Sequence, residues 1–402
     1  MFGSRAFSIR EETDPVSSSQ NIRVGVAGFG WMGRVHTQAY ARIRHHYPEL
    51  ALTPVLASVA DEVPGRADEA AAQFGFETST TDWHDIEKDS SIGAVSITAP
   101  NFLHRTIGTA MVEAGKHIWI EKPVGLSEDD ARAVAVAADK AGVQTAVGFN
   151  YRNAPAVEEA KALIEAGEIG TVTHARFRFF SDYAAHPDGA LSWRFERARG
   201  GNGVLGDLAS HGADLLWYLL GDIDSLVADT AIFVPQRAKP TGATSGHALA
   251  TGGELGPVEN EDYVSSQVRL ASGARATLEA SRVSVGEQNA YGFEIHGTKG
   301  AVFWDFRRLG ELGLSVGDRY QDQPVSTIFV GPKQGEYGAF QPGSASSMGY
   351  DDLKVVEAKR FLQSIADGKP VGATIWDAVR SAQVLDAMTR SVASGSWVKP
   401  GA

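Results

Sequence analysis

Lys122 stands in Glu121-Lys122-Pro123, directly after the apolar run His117-Ile118-Trp119-Ile120, which Gly115 and Pro123 bound. A run this short and apolar reads as a buried parallel strand. At the carboxyl end of such a strand, side chains project into the crevice where open α/β sheets bind ligands. An amine there can exchange a proton with a bound molecule. A surface Glu-Lys pair before a turn proline is the plainer alternative. Asp207, His211 and Asp214 form a second group, at i, i+4 and i+7, sharing one face if the chain is helical from Asp207. A carboxylate one turn from an imidazole can orient it and raise its basicity. His211 is therefore a candidate general base for an alcohol, with Asp207 holding its ring or binding a substrate hydroxyl. A helix-surface Asp/His pair is the alternative here, and Asp214 equally suits a structural hydrogen bond. No further ligand set at metal spacing accompanies them, so no metal is expected.

The elements that must position these groups begin with Ile22–Ala27, a β-branched run ending in Gly28-Phe29-Gly30-Trp31-Met32-Gly33. A helical pattern follows, with Val35, Ala39 and Ile43 on one face. Strand, G-x-G-x-x-G, helix is the context of a dinucleotide fingerprint. Gly28 allows the tight turn, Gly30 lets backbone approach a pyrophosphate at the helix amino end, and Gly33 lets helix and strand pack closely. The next strand, Leu52–Ala60, closes on Asp61. A carboxylate there accepts from adenosine ribose hydroxyls and repels a 2′-phosphate, which favours NAD over NADP. Arg44 to Pro48 lengthens the first connection beyond the usual spacing of ~20 residues, and Arg66 is near enough in sequence to meet a phosphate, so NADP stays open. Asp61 as a charge ahead of the helix Arg66–Phe74 is the structural alternative.

The alternation continues through a helix at Trp83–Glu87, a strand at Ile92–Thr98 ending on Ala99-Pro100-Asn101, a helix at His104–Ala114, the strand before Lys122, a helix from Ser127 to Gly142 with a capping box, and a strand at Thr145–Gly148. Strands alternating with helices imply a doubly wound parallel sheet. Asn101 and His104 follow a strand end and can border a nicotinamide. An ordinary first-turn helix position is an equal reading for His104.

Beyond Asn150-Tyr151-Arg152 the texture changes. A helix at Pro155–Ala166 precedes alternating runs at Val172–Phe180, Leu226–Phe233, Val264–Leu270, Ala274–Ser281, Phe293–Gly297 and Ala301–Asp305, several joined by short turns. They predict an α+β half with a large open, mostly antiparallel sheet, one face on helices and the other free for oligomer contact. Trp193, Tyr183 and Arg194 lie in the loop before Asp207, where an aromatic can stack on a sugar ring, a core role standing beside that. Pro235–Val258 and Gln321–Tyr350 lack periodicity and read as lids, arms or mobile loops. Helices at Leu353–Ala366 and Trp376–Ala393 close the chain. The division expected is a disordered leader over 1–20, a dinucleotide-binding domain over 21–150 and a substrate and oligomerisation domain over 151–402, whose closing helices can pack back on the first.

Composition narrows the functions. The 402 residues are 43% hydrophobic and 21% charged, with a formal net charge of −12. An acidic chain without a basic tract is poorly suited to binding a phosphate backbone, so no nucleic-acid partner is expected. Without cysteine there are no disulfides, thiolate nucleophiles or cysteine-bound metals. No apolar run is long enough to span a bilayer, and residues 1–20 lack the apolar core of a secretory signal. A cytoplasmic protein is expected.

In that order along the chain, Gly28 to Gly33, Ala99-Pro100-Asn101 with His104, Glu121-Lys122-Pro123, Asn150-Tyr151-Arg152 and Asp207-x-x-x-His211 with Asp214 resemble the glucose-fructose oxidoreductase/inositol dehydrogenase (Gfo/Idh/MocA) family over about residues 21–398. The long loops and bulky carboxyl-terminal half are similar to its sugar and anhydrosugar dehydrogenases of the levoglucosan type. The resemblance implies a Rossmann domain followed by an α/β domain with a large open sheet, and homo-oligomers, dimers or tetramers. It implies Lys122, Asp207 and His211 as the catalytic trio. Cofactor contacts are expected from Gly28, Phe29, Gly30, Trp31, Met32, Asp61, Ala99, Pro100, Asn101, His104, Glu121, Lys122 and Asn150. Lys122, Tyr151, Arg152, Trp193, Asp207 and His211 are expected around substrate. The activity implied is NAD(P)-dependent oxidation of a secondary hydroxyl on a cyclic sugar, anhydrosugar or inositol-like polyol. An NAD-retaining glycosidase, a non-catalytic nucleotide-binding sensor and a ketosugar reductase working in the opposite direction are the alternatives.

Overall fold

The computed structural model describes residues 20–240, 249, 250 and 252–401. Most of the expected leader, and part of the 235–258 loop, lie outside the described residues.

The first half alternates as its sequence pattern predicts: β1 (Gln20–Ala27), α1 (Trp31–His46), β2 (Leu52–Ala60), α2 (Arg66–Phe74), β3 (Thr78–Thr80), α3 (His84–Lys88), β4 (Ala94–Ile97), α4 (Asn101–Glu113), β5 (His117–Ile120), α5 (Glu128–Ala141) and β6 (Thr145–Val147). The short strand β3 is one that the pattern did not show. Among the described residues the six strands form one parallel sheet in the order β3-β2-β1-β4-β5-β6. All four residues of β4, and Ile118 to Ile120 of β5, are buried, as expected of strands covered on both faces. The strand order reverses between β1 and β4, so the crevice at their carboxyl ends is the place for a ligand.

A 3-10 turn (Asn150–Asn153) leads into α6 (Pro155–Glu165) and β7 (Val172–Phe180), followed by α7 (Arg197–Gly200), a wide π-helical turn (Leu205–Ala209), α8 (Ser210–Leu220), β8 (Ile223–Ala231), β9 (Gln236–Ala238) and β10 (Leu255–Pro257). The rest is β11 (Tyr263–Leu270), β12 (Arg275–Ser281), β13 (Ala290–Gly297), β14 (Gly300–Asp305), β15 (Glu311–Val316), β16 (Ser326–Phe329), α9 (Tyr350–Asp367) and α10 (Ile375–Ser394). The second sheet runs β16-β15-β14-β13-β7-β12-β11-β8, antiparallel except where β12 pairs with β7. Alternation puts Ala175, Phe177 and Phe179 of β7 and Val264, Val268 and Leu270 of β11 into one core with Leu215, Leu216 and Leu219 of α8. The two expected loops carry structure of their own, β9 pairing with β10 and β16 with β15.

Both closing helices return to the first sheet. Phe361 and Leu362 of α9 share a buried cluster with Tyr40 and Ile43 of α1, and Asp386 of α10 accepts from the Glu128 amide at 3.0 Å.

Candidate active site

The turn after β1 is shaped by what it lacks. Gly28 has φ +90°, and a Cβ there would stand 2.6 Å from the Ala99 amide nitrogen, so the ends of β1 and β4 touch through a glycine. At Gly33 a Cβ would come within 2.4 Å of the Gly28 carbonyl, while at Gly30 it would meet nothing within 4 Å. Space thus remains only in front of the helix. The α1 amino terminus has no side-chain cap and no acidic residue in its first turn, which leaves its orphan N–H groups for an anion. Asp61 closes the turn: its Oδ2 accepts from the Phe29 amide at 2.7 Å, and its Oδ1 accepts from the Val63 amide at 2.9 Å and from Arg66 at 3.2 Å. Arg66 is therefore paired with a carboxylate. Trp31 stays 67% exposed and stacks on Tyr350, whose hydroxyl reaches Met32 Sδ at 3.7 Å. At the far end of the crevice Asn150 is fully buried, with neither side-chain polar atom hydrogen-bonded. A buried amide in that state calls for a polar partner. The open glycine, the uncapped helix, the Asp61 carboxylate and Asn150 fit a dinucleotide carrying a carboxamide.

Lys122 leaves the end of β5, and the Lys122–Pro123 peptide is cis. Its ammonium donates to the Asp207 carbonyl at 2.7 Å and lies 3.4 Å from Asp207 Oδ1. The third N–H has no partner among the described residues. The other Asp207 oxygen accepts from the Tyr183 hydroxyl. Burial alone would raise this carboxyl, but the Lys122 and Arg194 cations and the Tyr183 hydroxyl outweigh it and hold Asp207 well below the usual carboxylate range. Lys122, Asp207, Tyr183, Trp193, Asn101 and Asn202 line one cleft.

The π-helical turn corrects the sequence reading of Asp207 and His211. The expected i, i+4 geometry assumes an α-helix, but Leu205–Ala209 is wound more widely. Asp207 turns to Lys122 and Tyr183, and no hydrogen bond joins it to His211 among the described residues. His211 instead sits among Tyr151, Phe149 and Phe179, its ring centroid 4.7 Å from that of Tyr151. Burial pushes its pKa well below the ordinary imidazole value, and the nearby Lys122 charge lowers it further. His211 is thus a neutral ring.

Of the other predicted residues, Arg152, Glu121 and His104 sit apart from the cleft, while Asn101 and Trp193 line it. Arg152 is buried, donates through Nε to Asp214 Oδ2 at 2.8 Å, lies 3.4 Å from Asp377 and covers the Tyr218 ring, so its guanidinium is committed to the fold rather than to substrate. Asp214 therefore takes the structural role. Glu121 points away from the crevice, to His36 Nε2 at 2.9 Å and to the Lys354 ammonium. His104 is buried with ring nitrogens 2.8 Å from Pro123 O and 2.7 Å from Ala99 O, bracing the ends of β4 and β5 against each other. Asn101, expected just past a strand end and ahead of the helix, opens α4 and lines the cleft. Trp193 lines the cleft with Arg194 stacked over its ring at 4.6 Å.

Sequence reasoning missed Tyr183 as a donor to Asp207, and His36 and Lys354 altogether. A signal existed for the last two: each shares a helical face with buried apolar residues, His36 with Tyr40 and Ile43, Lys354 with Ala358 and Phe361.

The comparisons with known proteins agree with this geometry. Residues 22–149 match the model for the oxidoreductase family with an NAD-binding Rossmann fold, and residues 157–303 match the GFO/IDH/MocA C-terminal domain. The chain is 37% identical over 382 residues to levoglucosan dehydrogenase of Pseudarthrobacter phenanthrenivorans, covering 94% of this chain and 98% of that one. It is 26% identical over 376 residues to inositol 2-dehydrogenase of Rhizobium meliloti, covering 92% and 97%. A solved levoglucosan dehydrogenase in complex with NADH and levoglucosan superposes with a TM-score of 0.89 at 36% identity, over 95% of this chain and 100% of the other. With both halves matched and a relative 37% identical over nearly the whole chain, this chain belongs to the Gfo/Idh/MocA family of NAD-binding oxidoreductases.

Proposed function

We propose that the protein is an NAD-dependent dehydrogenase that oxidises a secondary hydroxyl of a cyclic sugar, anhydrosugar or inositol-like polyol. The observation that carries this reading is the meeting of two halves of the chain: the Lys122 amine, from the first sheet, lies 2.7 Å from the Asp207 carbonyl that precedes α8. When bound, the nicotinamide ring supplies the hydride acceptor. Lys122 offers its free N–H to the substrate oxygen and stabilises the charge that develops as the hydroxyl proton departs. Asp207 fixes that ammonium and can accept from a neighbouring hydroxyl. The proton passes to His211, whose ring has no hydrogen bond among the described residues, or to Lys122 in its neutral form, since burial leaves the imidazole a weak base. Trp193 offers a face for the apolar side of a sugar ring.

The Asp61 carboxylate beside the Gly28–Phe29 turn supports NAD over NADP, because it already holds Arg66, the cation a 2′-phosphate would need. We place the enzyme in the cytoplasm as a homo-oligomer. The open face of the second sheet supports the oligomer, with His174, Arg176, Gln267, Arg269 and Arg275 exposed on it. No helix among the described residues is long and apolar enough to cross a membrane.

The test is NADH absorbance with purified protein, NAD and a panel of monosaccharides, anhydrosugars and inositols. Net NADH from a member of the panel is expected. Bond cleavage without net NADH would identify an NAD-retaining glycosidase, and nucleotide binding without turnover of any member would identify a sensor.

A further inference from the structure

Behind Lys122 lies a sealed cluster that the reaction scheme leaves unused. Glu121, His36, Lys354 and Glu357 are all buried, and the pairs join α9 to the end of β5 across 233 residues of chain. The Lys354 ammonium bonds both Glu121 Oε1 and Glu357 Oε1, the latter at 2.9 Å, and Trp119 Nε1 donates to Glu357 at 2.6 Å. His36, Glu121 and Glu357 bring ligand atoms within 4.8 Å of one another, as a metal site would, but the lysine already supplies the cation.

The hydrogen bonds have one consistent direction. Glu121 is ionised: burial would raise its carboxyl, but Lys354 and His36 outweigh that and hold it far below the ordinary range. It therefore only accepts, so His36 Nε2 carries the proton. His36 Nδ1 then accepts from Ser96 at 3.1 Å, and Ser96 accepts from the Tyr40 hydroxyl at 3.1 Å. Burial lowers the His36 pKa to about 4, so the ring stays neutral at pH 7 and adds no charge. Lys354 is thus the cation that keeps Glu121 charged and oriented. The other Glu121 oxygen accepts from the Lys122 amide at 3.3 Å and fills the space beside Gly148, where a Cβ would come within 2.4 Å of it. One carboxylate thus touches the main chain of Lys122 and the strand end that leads to Asn150.

We propose that Lys354 is a positioning residue for the reaction: it clamps Glu121, and Glu121 sets the main chain from which the Lys122 amine reaches Asp207. Stability alone does not call for such a pair. A buried ion pair is commonly no better than apolar side chains of the same size, whereas removing one partner is costly. The role instead lies in geometry, where a shift on the order of 1 Å can reduce a rate by about a hundredfold. This inference rests on Lys122 being the catalytic amine.

The experiment compares Lys354→Met, Glu121→Gln and the double variant Lys354→Met/Glu121→Gln, reading melting temperature, NADH affinity, kcat and sugar KM. Lys354→Met leaves Glu121 and Glu357 without their cation and should lower the melting temperature most, whereas Glu121→Gln leaves Lys354 paired with Glu357 and should lower it less. The double variant leaves only Glu357 without its cation, a carboxyl that burial already pushes up to about 7 and that can take a proton, so it should recover part of the loss. Its kcat is expected to stay about tenfold down, with NADH affinity changed by less than about threefold. A double variant with wild-type kcat would overturn the proposal, as would a loss confined to NADH affinity. Should the double variant not fold, Lys354→Arg against Lys354→Gln decides. The proposal requires the arginine to keep kcat within about threefold while the glutamine loses about tenfold, and equal losses overturn it. Lys122→Ala in the same assay separates the two levels. If it stays active, the catalytic assignment fails; if it is inactive while the double variant is fully active, only the role of Lys354 fails.

Discussion

Two lysine–carboxylate pairs flank one dipeptide and do opposite work. Lys122 and Asp207 meet at 3.4 Å with side chains 12% and 32% exposed, whereas Lys354 and Glu121 are 0% and 8% exposed. Glu121 and Lys122 are adjacent in sequence, and side chains of an extended chain alternate in direction, so one enters the core as the other enters the cleft. The sealed pair satisfies its charges internally and resists change. The open pair leaves an ammonium N–H and a carboxylate edge for a bound molecule. Burial, rather than residue type, decides which pair holds the fold and which can do chemistry.

The contrast can be broken from either side. The largest effect should come from the open pair: Lys122→Ala should reduce kcat roughly 10³-fold while leaving NADH affinity, read by fluorescence titration, nearly unchanged. An equal loss in affinity would make Lys122 a cofactor anchor. On the sealed side, Arg152→Met strands Asp214 and should cost roughly 3–5 kcal/mol in a urea unfolding series. A raised sugar KM at an unchanged midpoint would instead restore Arg152 to the substrate site. Asp207→Asn removes a carboxylate that two cations hold ionised, so it should cost roughly 1–3 kcal/mol of stability in the same unfolding series and lose roughly 10- to 100-fold in kcat.

The smallest effect is in pH. Burial depresses the His36 pKa to about 4, so the stability it contributes is present above its unfolded value of 6.5 and is lost as pH falls through 4. Full loss is on the order of 3 kcal/mol. Melting curves of His36→Asn should show a shallower decline than wild type between pH 6.5 and 4. Parallel declines would mean that the ring titrates freely.

The same contrast governs what could be read from the sequence. The nucleotide cradle was legible because its logic is local: a strand, three glycines at fixed spacing and a helix follow one another without interruption from Gln20 to His46. Lys122 was legible because a strand end declares itself through an apolar run and a proline. The π-helical turn was not, since Leu205–Ala209 carries nothing that distinguishes it from α-helix, and this misplaced Asp207 relative to His211. Glu121 and Arg152 were misassigned because their partners Lys354, Asp214 and Asp377 lie far along the chain. Strands β15 and β16 were missed because Gly313 interrupts one and the other is largely exposed, so neither shows a clean alternation. Sealed pairs are long-range by nature, and a single sequence shows only that a charged residue occupies a buried register.

The most direct measurement of the central claim is NADH formation by wild type and Lys122→Ala side by side, with saturating NAD and the sugar and polyol panel. The account predicts that wild type turns over at least one cyclic polyhydroxy compound with one NADH per ketone formed, and that the variant binds NADH yet forms almost none. A protein that takes up no nicotinamide nucleotide, or a Lys122→Ala enzyme as fast as wild type, would contradict it.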